Sequence, residues 1–393
     1  MMRGDCAYLD YNATTPVRPE VLEEMLPYFR EHYGNPGSPY FLGQKARKTV
    51  ERARERVASF LNAKDPQEIV FTSCGSESDA LAVSGAAWSA WEESFGRAKP
   101  KIVSTAVEHD AVRTLLDQLQ LRGFKRALAR VDEHGLVAAD EFERLITPET
   151  AVVSVMHANN EVGTVEPIEK IAGLCRTKGV LFHTDAVQSA GKVPLDVQKM
   201  NVDMLSISGH KIGAPKGVGA LYVRGGVRLS PVITGHQEKN RRGGTENVAL
   251  ITGLGAACEL ARKDLADAKK QERYEFLRRQ IADATLKIPG SAINGHPSRR
   301  LSTCIHMSFS GVDGHALVIA LDLAGVCVSS GPACSTGSPQ PSHVLTAMGV
   351  PPELAQGSLR VSFGHATSEE DIRRLAAALP DAVEKLRGVP AAR

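Results

Sequence analysis

The chain has 393 residues, 42% hydrophobic and 23% charged, with 35 glycines, which is the composition of a globular protein too large for one small core. Its 47 basic and 45 acidic residues leave a formal net charge of +2, so charge gives no reason to expect nucleic acid or a membrane surface as partner. No apolar run is long enough to span a bilayer, the start MMRGDCAYLDYNATTP has no apolar signal region, and seven scattered cysteines without a CxxC pair argue against a disulfide framework or metal knuckle and for a reducing cytoplasm.

In chain order, residues 44–61 carry apolar side chains at 46, 50, 53, 57, 60 and 61, a helical stripe with a charged outer face. EIVFTS (68–73) predicts a strand, and ESDALAVSGAAWSAW (77–91) the helix after it. KIVST (101–105) and AVVSVMHA (151–158) predict strands, and PIEKIAGLCRTKG (167–179) predicts a helix opened by proline and closed by glycine. VLFHTDA (180–186), VDMLSISGHK (202–211) and GALYVR (219–224) predict further strands. Strands alternating with helices imply an α/β domain around a mainly parallel sheet. A long charged helix over 255–287 then leads to the apolar RLSTCIHMSFSG and to SSGPACSTGSPQPSHV (329–344), whose glycines and prolines make it a loop. The division expected is a large domain over 16–256 and a smaller α+β domain from 1–15 and 257–393.

Ligands of open α/β sheets bind beyond the carboxyl ends of the strands. Gly75, Ser76 and Glu77 follow the first predicted strand; Glu108 and His109 follow the second. Asn159, Asn160 and Glu161 follow 151–158, Asp185 and Gln188 follow 180–184, and Ser208, His210 and Lys211 end 202–211. Singly, each has an ordinary structural reading: the aspartate a turn residue, the histidine a satisfied core side chain, the lysine a solvated one. Together they suit pyridoxal 5'-phosphate, which needs a lysine amine for its aldehyde and a carboxylate for its ring nitrogen. It also needs a flat partner for its ring, and hydroxyls with helix N–H groups for its phosphate. Lys211 directly follows a strand; the rival Lys216 lies in the turn APKGVG.

The motifs YLDYNATTPVRPEV, YGNPGSP, ANNEVGTVEPI, HTDAVQSAGKVPLD, SGHKIGAPKGVGALYVR, QEKNRRGGTEN, SSGPACSTG and SLRVSFG, taken in order, resemble those of the cysteine desulfurases. These are class-V-aminotransferase-like pyridoxal-phosphate enzymes, here of the group with an extended cysteine loop that serves iron–sulfur assembly and other sulfur transfer. The resemblance implies the aspartate-aminotransferase-like fold of pyridoxal-phosphate transferases, and it assigns roles. Lys211 would carry the cofactor, His109 stack on its ring, Asp185 pair with its ring nitrogen, and Asn160 and Gln188 bond its ring-hydroxyl side. Gly75, Ser76, Ser208 and His210 would hold the phosphate, joined by Thr245 from the other subunit of a homodimer. Arg360 would clamp the substrate carboxylate with Asn35 and Asn160 beside it, Cys334 would be the nucleophile, and no metal is expected. Cys74, Tyr40, Pro332 and His365 depart from the family's usual residues.

The function implied is conversion of L-cysteine to L-alanine, with the sulfur passing to Cys334 as a persulfide and then to an acceptor such as an iron–sulfur scaffold. A thiolate suits that attack because it is soft and partly ionised near neutral pH. A selenocysteine lyase or a class-V aminotransferase would share Lys211 and Asp185 without needing Cys334. A non-catalytic partner-binding scaffold would have no use for either residue.

Overall fold

The structure is a computed structural model that describes residues 6–331 and 342–388. Cys334 and Pro332, both singled out from the sequence, lie outside the described residues. The strands in chain order are β1 (Ala7–Tyr8), β2 (Ile69–Thr72), β3 (Lys101–Thr105), β4 (Lys125–Ala129), β5 (Thr150–Ser154) and β6 (Leu181–Asp185). They continue with β7 (Met204–Ser208), β8 (Gly219–Val223), β9 (Ser291–Asn294), β10 (Cys304–Phe309), β11 (Val326–Cys327) and β12 (Ser358–Ser362).

Seven of them form one sheet in the order β2-β8-β7-β6-β5-β3-β4. All neighbours run parallel except β8, which is antiparallel to both β2 and β7. Every residue of β7 is buried, as a strand covered on both faces requires. Successive side chains point to opposite faces. Val103, Val153 and Leu205 join a core with the helices Phe41–Leu61, Ile168–Thr177 and Val248–Ala266. Ile102, Val152 and Met204 join another with the helices Gly75–Glu93 and Asp110–Leu121.

A smaller antiparallel sheet, β12-β10-β9, packs through Ile305, Met307 and Phe309 onto the helices Ala268–Leu286 and Glu369–Arg387. Ala7 and Leu9 join that second core, and β1 pairs in parallel with β11.

Three expectations change. The single helix expected over 255–287 is two, Val248–Ala266 and Ala268–Leu286. Asp267, in an extended conformation, takes the N–H groups of Lys269 and Lys270 on its side chain and starts the second helix afresh. The strand expected over 151–158 stops at Ser154, after which Met156 N–H turns to Glu108 Oε1. The strand expected over 202–211 stops at Ser208, and Gly209–Lys211 form a short 3-10 turn.

Candidate active site

Because β2, β3, β5, β6 and β7 share one direction, their carboxyl ends meet along one edge of the sheet. A cavity of about 220 Å³ opens there, lined by Gly75, Ser76, His109, Asn160, Asp185, Gln188, Ser208, His210 and Lys211. Every cofactor residue expected from the sequence is in that set except Thr245. Lys211 Nζ donates to the backbone oxygens of Asn12 (2.5 Å) and Ala13 (2.9 Å). Asp185 is buried, and its Oδ1 accepts from Val187 N–H at 2.8 Å. Burial raises its carboxyl above the ordinary value, against the opposing pull of that N–H, His109 and Lys211.

His109 caps the helix Asp110–Leu121, its Nδ1 accepting from Ala111 N–H at 3.1 Å. An acceptor Nδ1 leaves the proton of a neutral imidazole on Nε2, and burial lowers the pKa so that the neutral form prevails. His210 Nδ1 meets Thr14 Oγ1 at 3.2 Å, and burial holds its ring down to about 4. Beneath Asp185 lies Asp79, whose carboxyl is raised by burial and by the neighbouring Asp185 charge.

A second cavity of about 250 Å³ shares His109, Asn160, Gln188 and Lys211 with the first and adds Arg360, Asn12, Glu161 and His343. Arg360 is 1% exposed. One terminal nitrogen donates to Asp10 Oδ1 at 2.8 Å and the other to Asn160 O at 3.1 Å, while its buried Nε has no hydrogen-bond partner. Sequence reasoning gave no role to Asp10, Asn12, Asp79 or His343. Asp10 and Asn12 stand in the quoted motif YLDYNATTP, the one signal that could have drawn attention to them.

Two expected residues stay apart. Asn35 is exposed, bonds Gly37 N–H through its own side chain, and lines a different cavity with Arg47 and Glu238. Thr245 is exposed and lines neither cavity described above. Of the departures from the family pattern, Tyr40 is exposed. His365 packs edge-on against Tyr11, away from Arg360's cavity.

The first cavity fits pyridoxal 5'-phosphate. The helix Gly75–Glu93 starts at its wall with Cys74 at the N-cap and no side chain on the first N–H groups. A Cβ at Gly75 would come within 2.7 Å of Val187 Cγ2, so only glycine lets backbone and ligand approach here. Ser208 Oγ is buried beside Gly75 with no hydrogen-bond partner. An anion bound at this helix end would supply one.

Comparison with known proteins points the same way. The family model "Aminotransferase class-V" matches residues 7–375. "Cysteine desulfurase IscS" of Methanosarcina thermophila is 43% identical over 384 residues, covering 97% of this chain and 93% of that protein. The solved structure of a "NifS-like protein" superposes with a TM-score of 0.89 at 37% identity, covering 97% of this chain and all of that one. The structure "SspA in complex with cysteine" does so at 0.79 and 37% identity, over 91% and 98%. With a family model spanning most of its length and full-length relatives of this identity, the chain belongs to the class-V aminotransferase family, among the cysteine desulfurases.

Proposed function

We propose that this cysteine desulfurase binds pyridoxal 5'-phosphate on Lys211 and passes the sulfur of L-cysteine to Cys334. The observation that carries the reading is a pair of adjoining cavities that share Lys211, His109, Asn160 and Gln188, with Asp185 in the one read as the cofactor side and Arg360 in the one read as the substrate side.

When bound, the cofactor supplies an aldehyde that condenses with amines and a ring that takes up the electrons of a broken Cα–H bond. Asp185 would pair with the ring nitrogen and favour its protonated form, with the buried, raised carboxyl of Asp79 next to it. His109 would offer its neutral imidazole as the flat partner of the ring. Arg360, held by Asp10, takes the substrate carboxylate through its remaining donors, a task suited to a guanidinium fork. The Lys211 amine, freed when the substrate amine takes its place, would take the α-proton. Cys334 attacks the substrate sulfur as thiolate; the carbon–sulfur bond breaks, a sulfur–sulfur bond forms, and alanine leaves. The sum is L-cysteine plus thiol giving L-alanine plus persulfide, with no outside oxidant or reductant.

The persulfide would then serve an acceptor such as an iron–sulfur scaffold. We place the enzyme in the cytoplasm, in keeping with its scattered cysteines, and no described helix is long and apolar enough to cross a membrane. We further propose a homodimer in which Thr245 reaches the phosphate site of the partner subunit. Division into a large domain (16–256) and a small one (1–15 with 257–393) is supported by an apolar cluster drawn only from Ala7, Leu9 and residues beyond 273.

Borohydride reduction followed by peptide mapping tests the reading: the pyridoxyl group should appear on Lys211, and its appearance on Lys216 would overturn the assignment. Cys334→Ser should keep the cofactor's visible absorption and lose alanine production, because a neutral hydroxyl is a poor nucleophile toward sulfur. Near-normal alanine from that variant would favour an aminotransferase or selenocysteine lyase.

A further inference from the structure

Lys192 lies four residues past Gln188, in the turns that follow β6, and lines a small cleft with Tyr11 and His365. Its ammonium has an unusual pair of partners. Nζ donates to Asn12 Oδ1 at 2.6 Å and to Gln188 Oε1 at 2.9 Å, two amide oxygens rather than a carboxylate. Both amides are buried.

An ammonium can only donate, so it decides which end of each amide faces it. Gln188 must turn Oε1 to Lys192, which sends Nε2 the other way. Nε2 donates to the backbone oxygen of Asn12 at 2.9 Å, leaving its second N–H for the cavity that Gln188 lines. Asn12 must likewise turn Oδ1 to Lys192, and its Nδ2 donates to Asn160 O at 3.1 Å and Cys304 Sγ at 3.2 Å. The Asn12 backbone oxygen that takes Gln188 also takes Lys211 Nζ. One cation thus sets the polarity of two amides in the floor of the site.

We propose that Lys192 is a positioning residue of the cofactor site. In its ammonium form it commits Gln188 to donate toward an oxygen on the bound ring, and it places a positive charge near Lys211. The proposal rests on the pyridoxal-phosphate reading of the cavity.

The electrostatics agree. Cys304, Lys211 and Arg360 act on the charge of Lys192, two of them cations that repel it, and the cleft it lines also holds Arg18, Asp264, Tyr11, Tyr274 and His365. Burial and that repulsion lower its pKa to about 7. A half-buried cation without a carboxylate costs folding free energy that a neutral side chain would avoid, a pattern typical of functional sites.

The test uses folded holoenzyme and its apoprotein, with pyridoxal 5'-phosphate as probe. Lys192→Met keeps the length of the side chain and removes the charge; Lys192→Gln is the second neutral variant. Each should raise the cofactor's dissociation constant about tenfold, the worth of a hydrogen bond to a charged acceptor. Each should also move the pH midpoint of the visible band upward by about one unit, because a repelling cation near Lys211 is gone. In a Gln188→Leu background the effect on the dissociation constant should shrink, since no amide remains to be oriented. If Lys192→Met does not fold, Lys192→Gln decides. Wild-type midpoint and dissociation constant in a folded neutral variant, or full additivity with Gln188→Leu, would overturn the proposal. A wild-type protein that takes up no pyridoxal phosphate would instead sink the cofactor reading, and this proposal with it.

Discussion

Arg360 and Glu166 show how single side chains carry both chemistry and stability. Arg360 is tied to Asp10 by a 2.8 Å ion pair, so the guanidinium is already oriented for the carboxylate it is proposed to take. Asp10→Asn should raise KM for cysteine by about tenfold with a smaller change in kcat, because it loosens ground-state and transition-state binding alike. Steady-state kinetics checks this; an unchanged KM would mean that Arg360 needs no such partner. Glu166 is a different case. Its Oε2 accepts from Val137 N–H at 3.0 Å, its Oε1 is buried without a partner, and burial raises its pKa to about 8. The proton it keeps when folded is therefore stabilising. That contribution is full below the ordinary carboxylate pKa and is lost as pH rises through about 8. Glu166→Gln does not titrate, so its melting temperature relative to wild type should climb from about pH 5 to about pH 9. A gap independent of pH would show that Glu166 is ionised throughout.

Among the elements, helix starts matter most. Gly75→Ala puts a methyl group 2.7 Å from Val187 at the mouth of the proposed phosphate cradle. The variant should fold and lose cofactor affinity about tenfold or more, read by absorption titration. Asp267→Ala removes the cap between two helices and should cost about 1 kcal/mol of stability with little effect on cofactor binding. That break was hidden in the sequence because the stretch ARKDLADAKKQER around it is rich in charge, and a lone aspartate among charged residues gives no sign of capping. The strand ends, by contrast, were legible. β3, β6 and β7 are short buried runs that stop at polar residues, so His109, Asp185 and Lys211 fell on one edge by pattern alone. Asp10 and Lys192 were not legible as site residues, because their partners Arg360 and Asn12 are 350 and 180 positions away. No local periodicity encodes such a pair.

At the scale of the whole molecule, Thr245 offers a test of assembly. It is exposed and outside the cavity of its own chain, so its proposed partner is the phosphate site across a dimer. Lys211→Ala and Thr245→Val chains, each weak alone, should regain activity when co-folded, since one site of the mixed dimer then holds both wild-type residues. No recovery would place Thr245 outside the partner's site. The antiparallel strand β8 carries a consequence for how this protein is made. It lies between β2 and β7, although it follows both in sequence. Gly219, at its start, packs so closely under Cys74 that a Cβ would come within 2.8 Å of the Cys74 backbone. Until about residue 223 has left the ribosome, the loop bearing Gly75 and the turn bearing Lys211 have no strand to join them. The nascent chain meanwhile exposes two unpaired edges, and closing that long loop is slow. The proposed cofactor pocket therefore cannot close before β8 is made, just past the middle of the chain, and cofactor capture should begin only after the sheet has been threaded shut.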